Sequence, residues 1–124
     1  MSSQGNIVMK WEPAAVLLAV KYSKRINLSE MVEHLSEVIS LAPAIRPGFT
    51  LLTDLSDLEY IEKPCIPVLA HIMDQYRKYG IRQVIRVIPH PEQDIGFNIL
   101  SIFHYGSKIP VIICSRLEEA KGML

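Results

Sequence analysis

The chain has 124 residues, of which 49% are hydrophobic and 21% charged, a balance typical of one globular domain over residues 1–124 with its own core. Its 13 basic residues offset its 13 acidic residues, so no net charge attracts it to nucleic acid or anionic lipid. Two cysteines, Cys65 and Cys114, are too few for a disulfide framework and favour a reducing, cytoplasmic location. No apolar run approaches the roughly 20 residues that span a bilayer, and the first residues do not resemble a secretory signal, so we expect no membrane insertion.

The N-terminal part of the sequence predicts a β-hairpin and then a helix. Apolar and β-branched residues favour strands over residues 7–11 and 14–22, with a proline-containing turn between them. Asn27 lies three residues before Glu30, which is the spacing of a helix capping box. Apolar residues at helical spacings follow, and we expect them to face the core: Leu28, Met31, Val32, Leu35, Val38, Ile39 and Ala42.

A strand over residues 49–54 comes next, followed by a polar loop over residues 56–63 and a second helix. Pro64 and Pro67 fit the first turn of that helix, where backbone N–H groups lack partners, and Gly80 fits its C-terminal end. We expect the inner face of this helix to contain Ile66, Leu69, Ala70, Met73 and Tyr76.

The remaining sequence predicts a strand over residues 81–88, a helix over 91–104, a strand over 109–114 and a final helix, for which Ser115 and Glu118 have capping-box spacing. This alternation predicts an α/β fold with a mixed, mostly parallel sheet of about five strands, an N-terminal hairpin and about four flanking helices. Binding sites in such sheets lie beyond the carboxyl ends of the strands.

Several segments carry a resemblance to a known family. Asp54-Leu55-Ser56 ends a strand, Tyr60-Ile61 forms a hydrophobic pair, and Val68-Leu69 lies in the first turn of the next helix. Farther along, His90-Pro91-Glu92 and the acidic segment CSRLEEA each begin a predicted helix. Together they resemble the STAS domains, the anti-sigma-factor antagonist or SpoIIAA-like family. The resemblance implies the SpoIIAA-like (STAS) fold and a regulatory protein that binds a protein partner.

The sequence departs from the family at the position where the family is phosphorylated. In the alignment that the resemblance implies, Glu62 falls on the family's aspartate, Lys63 and Pro64 on its two serines, and Cys65 on its glycine. Proline has no hydroxyl group, so the usual serine phosphoswitch cannot operate there. Ser56 is a nearby hydroxyl that could be phosphorylated instead.

The residues from Asp54 to Cys65 are therefore the expected interaction turn. We expect its contacts to come from Asp54, Ser56, Asp57, Tyr60, Glu62, Lys63, Pro64 and Cys65. His90 and Ser115 follow other strands and could contact a ligand at the same edge of the sheet.

Two groups of side chains in the turn have alternative interpretations. Cys65 at a helix start could be a reactive thiolate, but a packed, inert cysteine is the favoured interpretation. Asp54, Asp57, Glu59 and Glu62 could hold a cation, but their spacing lacks the pattern of a calcium loop, and local turn hydrogen bonds are favoured. No metal site and no cofactor are expected.

Four other polar residues also lie in predicted elements. His34 and His71 lie on helices, where we expect surface or boundary positions. Arg82 and Arg86 alternate along a strand, as in a basic patch or the charged edge of a sheet.

The favoured function is a non-catalytic, regulatory protein–protein interaction module that lacks the serine phosphoswitch. A domain that binds a small apolar or anionic ligand at the carboxyl ends of the strands is the alternative, and a redox sensor centred on Cys65 is less favoured. A protein partner is expected, a homodimer is compatible with the sequence, and nucleic acid is not an expected partner.

Overall fold

The computed structural model describes residues 5–88, 105–106 and 108–124. Its sheet has five strands in the order β1-β2-β3-β4-β5. The strands are β1 (Asn6–Glu12), β2 (Leu17–Ile26), β3 (Thr50–Ile61), β4 (Gln83–Val87) and β5 (Val111–Cys114). β1 pairs with β2 antiparallel, and every later pair is parallel. The predicted mixed, mostly parallel sheet with an N-terminal hairpin is confirmed.

Three α-helices lie in the described ranges: α1 (Leu28–Leu41), α2 (Ile66–Lys78) and α3 (Leu117–Lys121). The helix predicted over 91–104 lies outside the described residues. The capping box of α1 is confirmed, because Glu30 N donates to Asn27 Oδ1 at 2.9 Å and Asn27 N donates to Glu30 Oε1 at 2.8 Å. No helix in the described ranges is long and apolar enough to cross a bilayer.

The sheet has a large core on one face and a small core on the other. Alternation along the strands separates them: Leu18 and Val20 join the large core with α1 and α2, whereas Leu17 faces the small core beside α3. The small core contains Leu17, Leu52, Ile85, Val87, Cys114 and Ala120. Because α3 has only five residues, it covers a limited part of its face.

Strands β2 and β3 both extend farther than the sequence predicts. The polar residues 56–61, predicted as a loop, continue β3 and pair with β2 up to Ile61 opposite Ile26. The pairing shifts register twice, so Lys21 lies opposite Asp54 while Ser23 lies opposite Asp57. These bulges break the alternation by which a strand is recognised in sequence, which explains the wrong prediction.

The buried faces of α1 and α2 are rotated from the predicted ones. On α1, Met31, His34 and Val38 are buried, and Leu28, Val32 and Ile39 are exposed. The helical spacing predicted one broad apolar face, but the sheet covers only part of it. On α2, Ile72 is buried and Ile66 is exposed, which reverses the expectation for Ile66.

Arg86 also differs from the expectation of a charged edge. It lies on β4, between β3 and β5, and is 1% exposed. It faces the large core, where its charge lowers the pKa values of Tyr22 and Tyr105 against the larger upward effect of their burial. Its position in the sheet therefore rules out edge protection.

His34 is fully buried, which contradicts its predicted surface or boundary position. Its ring packs edge-on against Tyr22 with centroids 5.9 Å apart, and among the described residues neither ring nitrogen has a hydrogen-bond partner. Burial lowers the pKa of His34 from 6.5 to about 4, because an imidazolium in this apolar site would lose its hydration.

We therefore expect His34 to make folding sensitive to acid. Well above pH 6.5 the ring is neutral in both states and contributes no pH dependence. Below that value the unfolded chain gains a proton that the folded chain does not accept, so stability falls as the pH approaches about 4. The loss reaches roughly 2.5 kcal/mol at about pH 4.5.

The measurement is chemical denaturation of the wild type and of His34→Phe at about pH 7.5 and about pH 4.5. His34→Phe should lose less stability between the two pH values than the wild type does. His71→Phe, at an exposed position of α2, is the control and should behave as the wild type does. Equal losses in all three proteins would contradict the prediction.

Candidate functional site

The segment predicted as an interaction turn consists of the far half of β3, a single 3-10 turn over Lys63–Cys65 and the start of α2. Asp54 is the last β3 residue that pairs with β4, opposite Val87. Its buried carboxylate accepts hydrogen bonds from the Ser56 backbone N–H at 3.0 Å and from the Ser56 hydroxyl. The polar groups of the two residues therefore satisfy each other's hydrogen-bonding needs, and these bonds shape the first bulge of β3.

Beyond Asp54, the two exposed carboxylates of β3 are paired with lysines on β2. Lys21 Nζ lies 3.0 Å from Asp57 Oδ2, and Lys24 Nζ lies 4.0 Å from Glu59 Oε2. The hydrogen bond and charge of Asp57 raise the pKa of Lys21. Such exposed pairs contribute little stability, about 0–1 kcal/mol each, but they occupy the carboxylates. Among the described residues, no three potential ligands come together as a metal site.

Tyr60 follows these two ion pairs along β3 and also contacts a cation of β2. The Arg25 guanidinium lies 5.3 Å from the centroid of its ring, within the range of a cation–π contact. Its neighbour Ile61 packs against the large core. Because successive side chains of a strand point to opposite faces, Tyr60 points away from α1 and α2.

The 3-10 turn is hydrogen-bonded to the end of β2 through one carbonyl group. Ile26 O accepts a hydrogen bond from Glu62 N at 3.0 Å and a weak one from Cys65 Sγ at 3.7 Å. Cys65 N in turn donates to Glu62 O at 2.9 Å. Lys63 and Pro64 remain exposed at the tip of the turn.

Cys65 is fully buried, so it is not available for a contact at the surface. Burial raises the pKa of its thiol, and the carboxylates of Glu62 and Glu30 raise it further. The helix start therefore does not activate this cysteine, and the packed, inert interpretation agrees with the geometry.

Apolar side chains on α1 form a surface that the sequence reasoning placed in the core. Leu28, Val32 and Ile39 are 41%, 46% and 49% exposed and lie on one flank of the helix, at spacings of four and seven residues. We call these three residues the α1 ridge. The expectation of a single inner stripe hid this surface, and the excess width of the apolar stripe was the signal that could have revealed it.

The α1 ridge faces α2 and begins beside the turn. The opposite flank of α1, with Glu30, Glu33 and Glu37, lines a cavity with residues 5–7 at the start of the chain's first strand. The ridge is therefore on the α2 side, and α1 packs against both α2 and the 3-10 turn. We define the docking surface as the α1 ridge together with Lys63 and Pro64.

The remaining predictions concern the ligand contacts His90 and Ser115. His90 falls outside the described residues. Ser115 is exposed, and its hydroxyl donates to Glu119 Oε1 at 3.0 Å. The residue that caps α3 is Arg116, whose side chain makes no capping hydrogen bond, so the predicted capping box of Ser115 and Glu118 is wrong.

Comparison with known proteins shows the fold. No model of a known protein family matches the sequence, and no curated protein is detectably similar. An uncharacterised protein of the DUF3478 family with a SpoIIAA-like fold, from Shewanella loihica PV-4, has a TM-score of 0.76 at 14% identity, covering 100% of this chain and 98% of its own.

Two anti-sigma factor antagonists are also similar in structure. One from Mycobacterium paratuberculosis has a TM-score of 0.63 at 16% identity over 99% of this chain and 97% of its own. Unphosphorylated SpoIIAA has a TM-score of 0.63 at 12% identity over 94% of this chain and 96% of its own. The chain therefore has the SpoIIAA-like fold, as the resemblance implied.

The burial of Cys65 predicts a slow thiol. In a Cys114→Ala variant, where Cys65 is the single thiol, we expect the folded protein to react with Ellman's reagent at least about tenfold more slowly than the same protein in denaturant. The rates are measured by absorbance at one mildly alkaline pH. Equal rates in the folded and denatured protein would show that Cys65 is accessible and ionised.

Proposed function

We propose that this domain is a regulatory protein–protein interaction module that binds its partner through the docking surface and carries no catalytic step. The observation that carries the proposal is the α1 ridge, three large apolar side chains that stay about half exposed beside the exposed turn at Lys63 and Pro64. Scattered exposed apolar residues are ordinary, but three on one flank of a helix that begins beside an exposed turn are typical of a binding surface. The SpoIIAA-like fold shared with anti-sigma factor antagonists supports a protein as the partner.

The magnitudes support the ridge as the source of affinity. Complete burial of one Leu, Val or Ile side chain contributes about 1.5–3 kcal/mol, so three half-exposed side chains can still contribute about 2–4 kcal/mol. Asp57 and Glu59 of β3 are already paired with Lys21 and Lys24 within the molecule, and exposed ion pairs of this kind add little to binding affinity. We therefore assign affinity to the ridge and orientation of the partner to Lys63 and the turn.

Regulation in this proposal does not use a serine at the start of α2. Lys63 and Pro64 occupy the 3-10 turn before that helix, and neither accepts a phosphoryl group in the way that a serine does. Ser56 is exposed, but its hydroxyl is bound to the Asp54 carboxylate and Asp57 follows it in sequence. A phosphate on Ser56 would be repelled by both carboxylates, so we propose that binding is controlled through partner availability.

The test compares two variants that add the same charge at similarly exposed isoleucines. Ile39→Glu lies on the docking surface, and Ile113→Glu, at a residue 43% exposed on β5, is the matched control. We expect Ile39→Glu to weaken partner binding at least about tenfold, because a carboxylate would be buried without a partner group. Circular dichroism and thermal melting serve as the check that both variants fold.

The partner is obtained by affinity purification with the wild-type domain and then tested as a purified protein by titration calorimetry. Equal affinity of the wild type and Ile39→Glu, or a loss that occurs only in Ile113→Glu, would overturn the proposal. Sedimentation of the domain alone identifies the case in which the partner is a second copy, since the dimer would then dissociate in Ile39→Glu.

A further inference from the structure

The outer edge of β1 is open to a further strand. Within the described part of the chain, β1 pairs with β2 on one side and with no strand on the other. Alternate residues of an edge strand direct their backbone N–H and C=O groups outward, where an extended chain can pair with them. The β1 edge therefore has the backbone groups that an added strand requires.

β1 is also less protected than the opposite edge of the sheet. Its seven residues pair with β2 without a register shift and include no proline, whereas β5 has four residues and follows Pro110. Ile7 and Met9 pack against the large core under α1. The two charged residues of β1, Lys10 and Glu12, therefore point to the opposite face. The α1 face of β1 thus carries no charge of its own.

Carboxylates of α1 lie beside this edge. Glu30, Glu33 and Glu37 on one flank of α1 line a cavity of about 220 Å³ at the start of β1. Glu30 already accepts a hydrogen bond from the Asn27 backbone N–H. Glu33 and Glu37 are exposed, and among the described residues they form no ion pair. The flank therefore offers two carboxylates to an incoming group.

The basic residues nearest to this edge do not neutralise the two carboxylates. Lys21, Lys24 and Arg25 of β2 contact side chains of β3. Lys10 points to the other face of the sheet. No described residue that lines the cavity is basic. The negative charge beside β1 is therefore uncompensated within the described ranges, which favours a basic partner.

We infer that the β1 edge binds an extended basic segment of another protein, with lysine or arginine at alternate positions. The backbone of the segment pairs with β1, and every second side chain points under the glutamate flank of α1. Glu33 and Glu37 are about 6 Å apart along the helix axis, and alternate residues of a strand are about 6.6 Å apart. Two successive basic side chains can therefore reach the two carboxylates.

The intervening side chains of the segment lie on the other face of the sheet. Val8 is 56% exposed there, so apolar residues are expected at these positions. The β1 edge is separate from the docking surface, because the α1 ridge lies on the flank of α1 that faces α2. The inference therefore goes beyond the proposed function and does not depend on it.

The probe is a short, fluorescently labelled peptide of alternating arginine and valine. Fluorescence anisotropy should show saturable binding with a Kd below about 1 mM, and amide hydrogen exchange of β1 should slow in the complex. A peptide with glutamate in place of arginine should bind at least about tenfold more weakly. The arginine peptide with two prolines inserted at its centre lacks N–H groups for pairing and should also bind at least about tenfold more weakly.

Variants then locate the charge. The double variant Glu33→Gln, Glu37→Gln should weaken the arginine peptide about three- to tenfold at low salt and less at high salt. Glu118→Gln, Glu119→Gln removes the same charge from α3 and should bind as the wild type does. Ile39→Ala, on the α1 ridge, should also bind as the wild type does, which separates this site from the docking surface.

Each arm has a result that contradicts the inference. Absence of saturable binding of the arginine peptide at about 1 mM, or exchange protection elsewhere than in β1, would overturn the site. Equal binding of the glutamate peptide, or unchanged affinity in the Glu33→Gln, Glu37→Gln variant, would overturn the basic partner. Equal binding of the proline peptide would overturn strand pairing. The substituted residues are exposed, and circular dichroism checks that the variants fold.

Discussion

The structure around the candidate site depends on the parallel pairing of β2 with β3 beyond the end of β4. That pairing continues to Ile26 opposite Ile61, where the carbonyl of Ile26 holds both Glu62 and Cys65. Asn27, the next residue, caps α1. A single end of β2 therefore fixes the start of α1, the 3-10 turn and the start of α2 relative to one another. A buried carbonyl group must find partners, so this arrangement is strongly preferred over a free loop.

The same pairing separates the polar chemistry from the apolar surface. The bulges of β3 turn Asp57, Glu59 and Tyr60 toward Lys21, Lys24 and Arg25, away from the large core. The other face carries α1, whose apolar stripe is wider than the sheet can cover. The ion pairs of β3 and the α1 ridge therefore lie on opposite faces of one small sheet.

Burial determines the chemistry of the two groups that are most reactive in isolation. Cys65 lies at a helix start, where a thiolate is often favoured, but burial and two carboxylates favour the neutral thiol. His34 is neutral for the same reason, since the described residues around it offer an aromatic ring and no hydrogen-bond acceptor. Neither effect can be predicted from residue type, because both depend on what surrounds the side chain.

Local patterns in the sequence determined the order of the described elements, the capping box of Asn27 and Glu30 and the mixed sheet, because caps, turns and periodicity act between residues close in the chain. The family resemblance, carried by residues 54–69 and by the later segments at 90–92 and 114–120, also indicated the correct fold. Tertiary structure alone decided the extension of β3 to Ile61, the burial of His34 and Arg86, and the exposure of the α1 ridge. Those outcomes depend on which part of each amphipathic face a distant strand or helix covers. Helical spacing shows that Leu28, Val32 and Ile39 share a flank, but only the finite width of the sheet leaves that flank exposed.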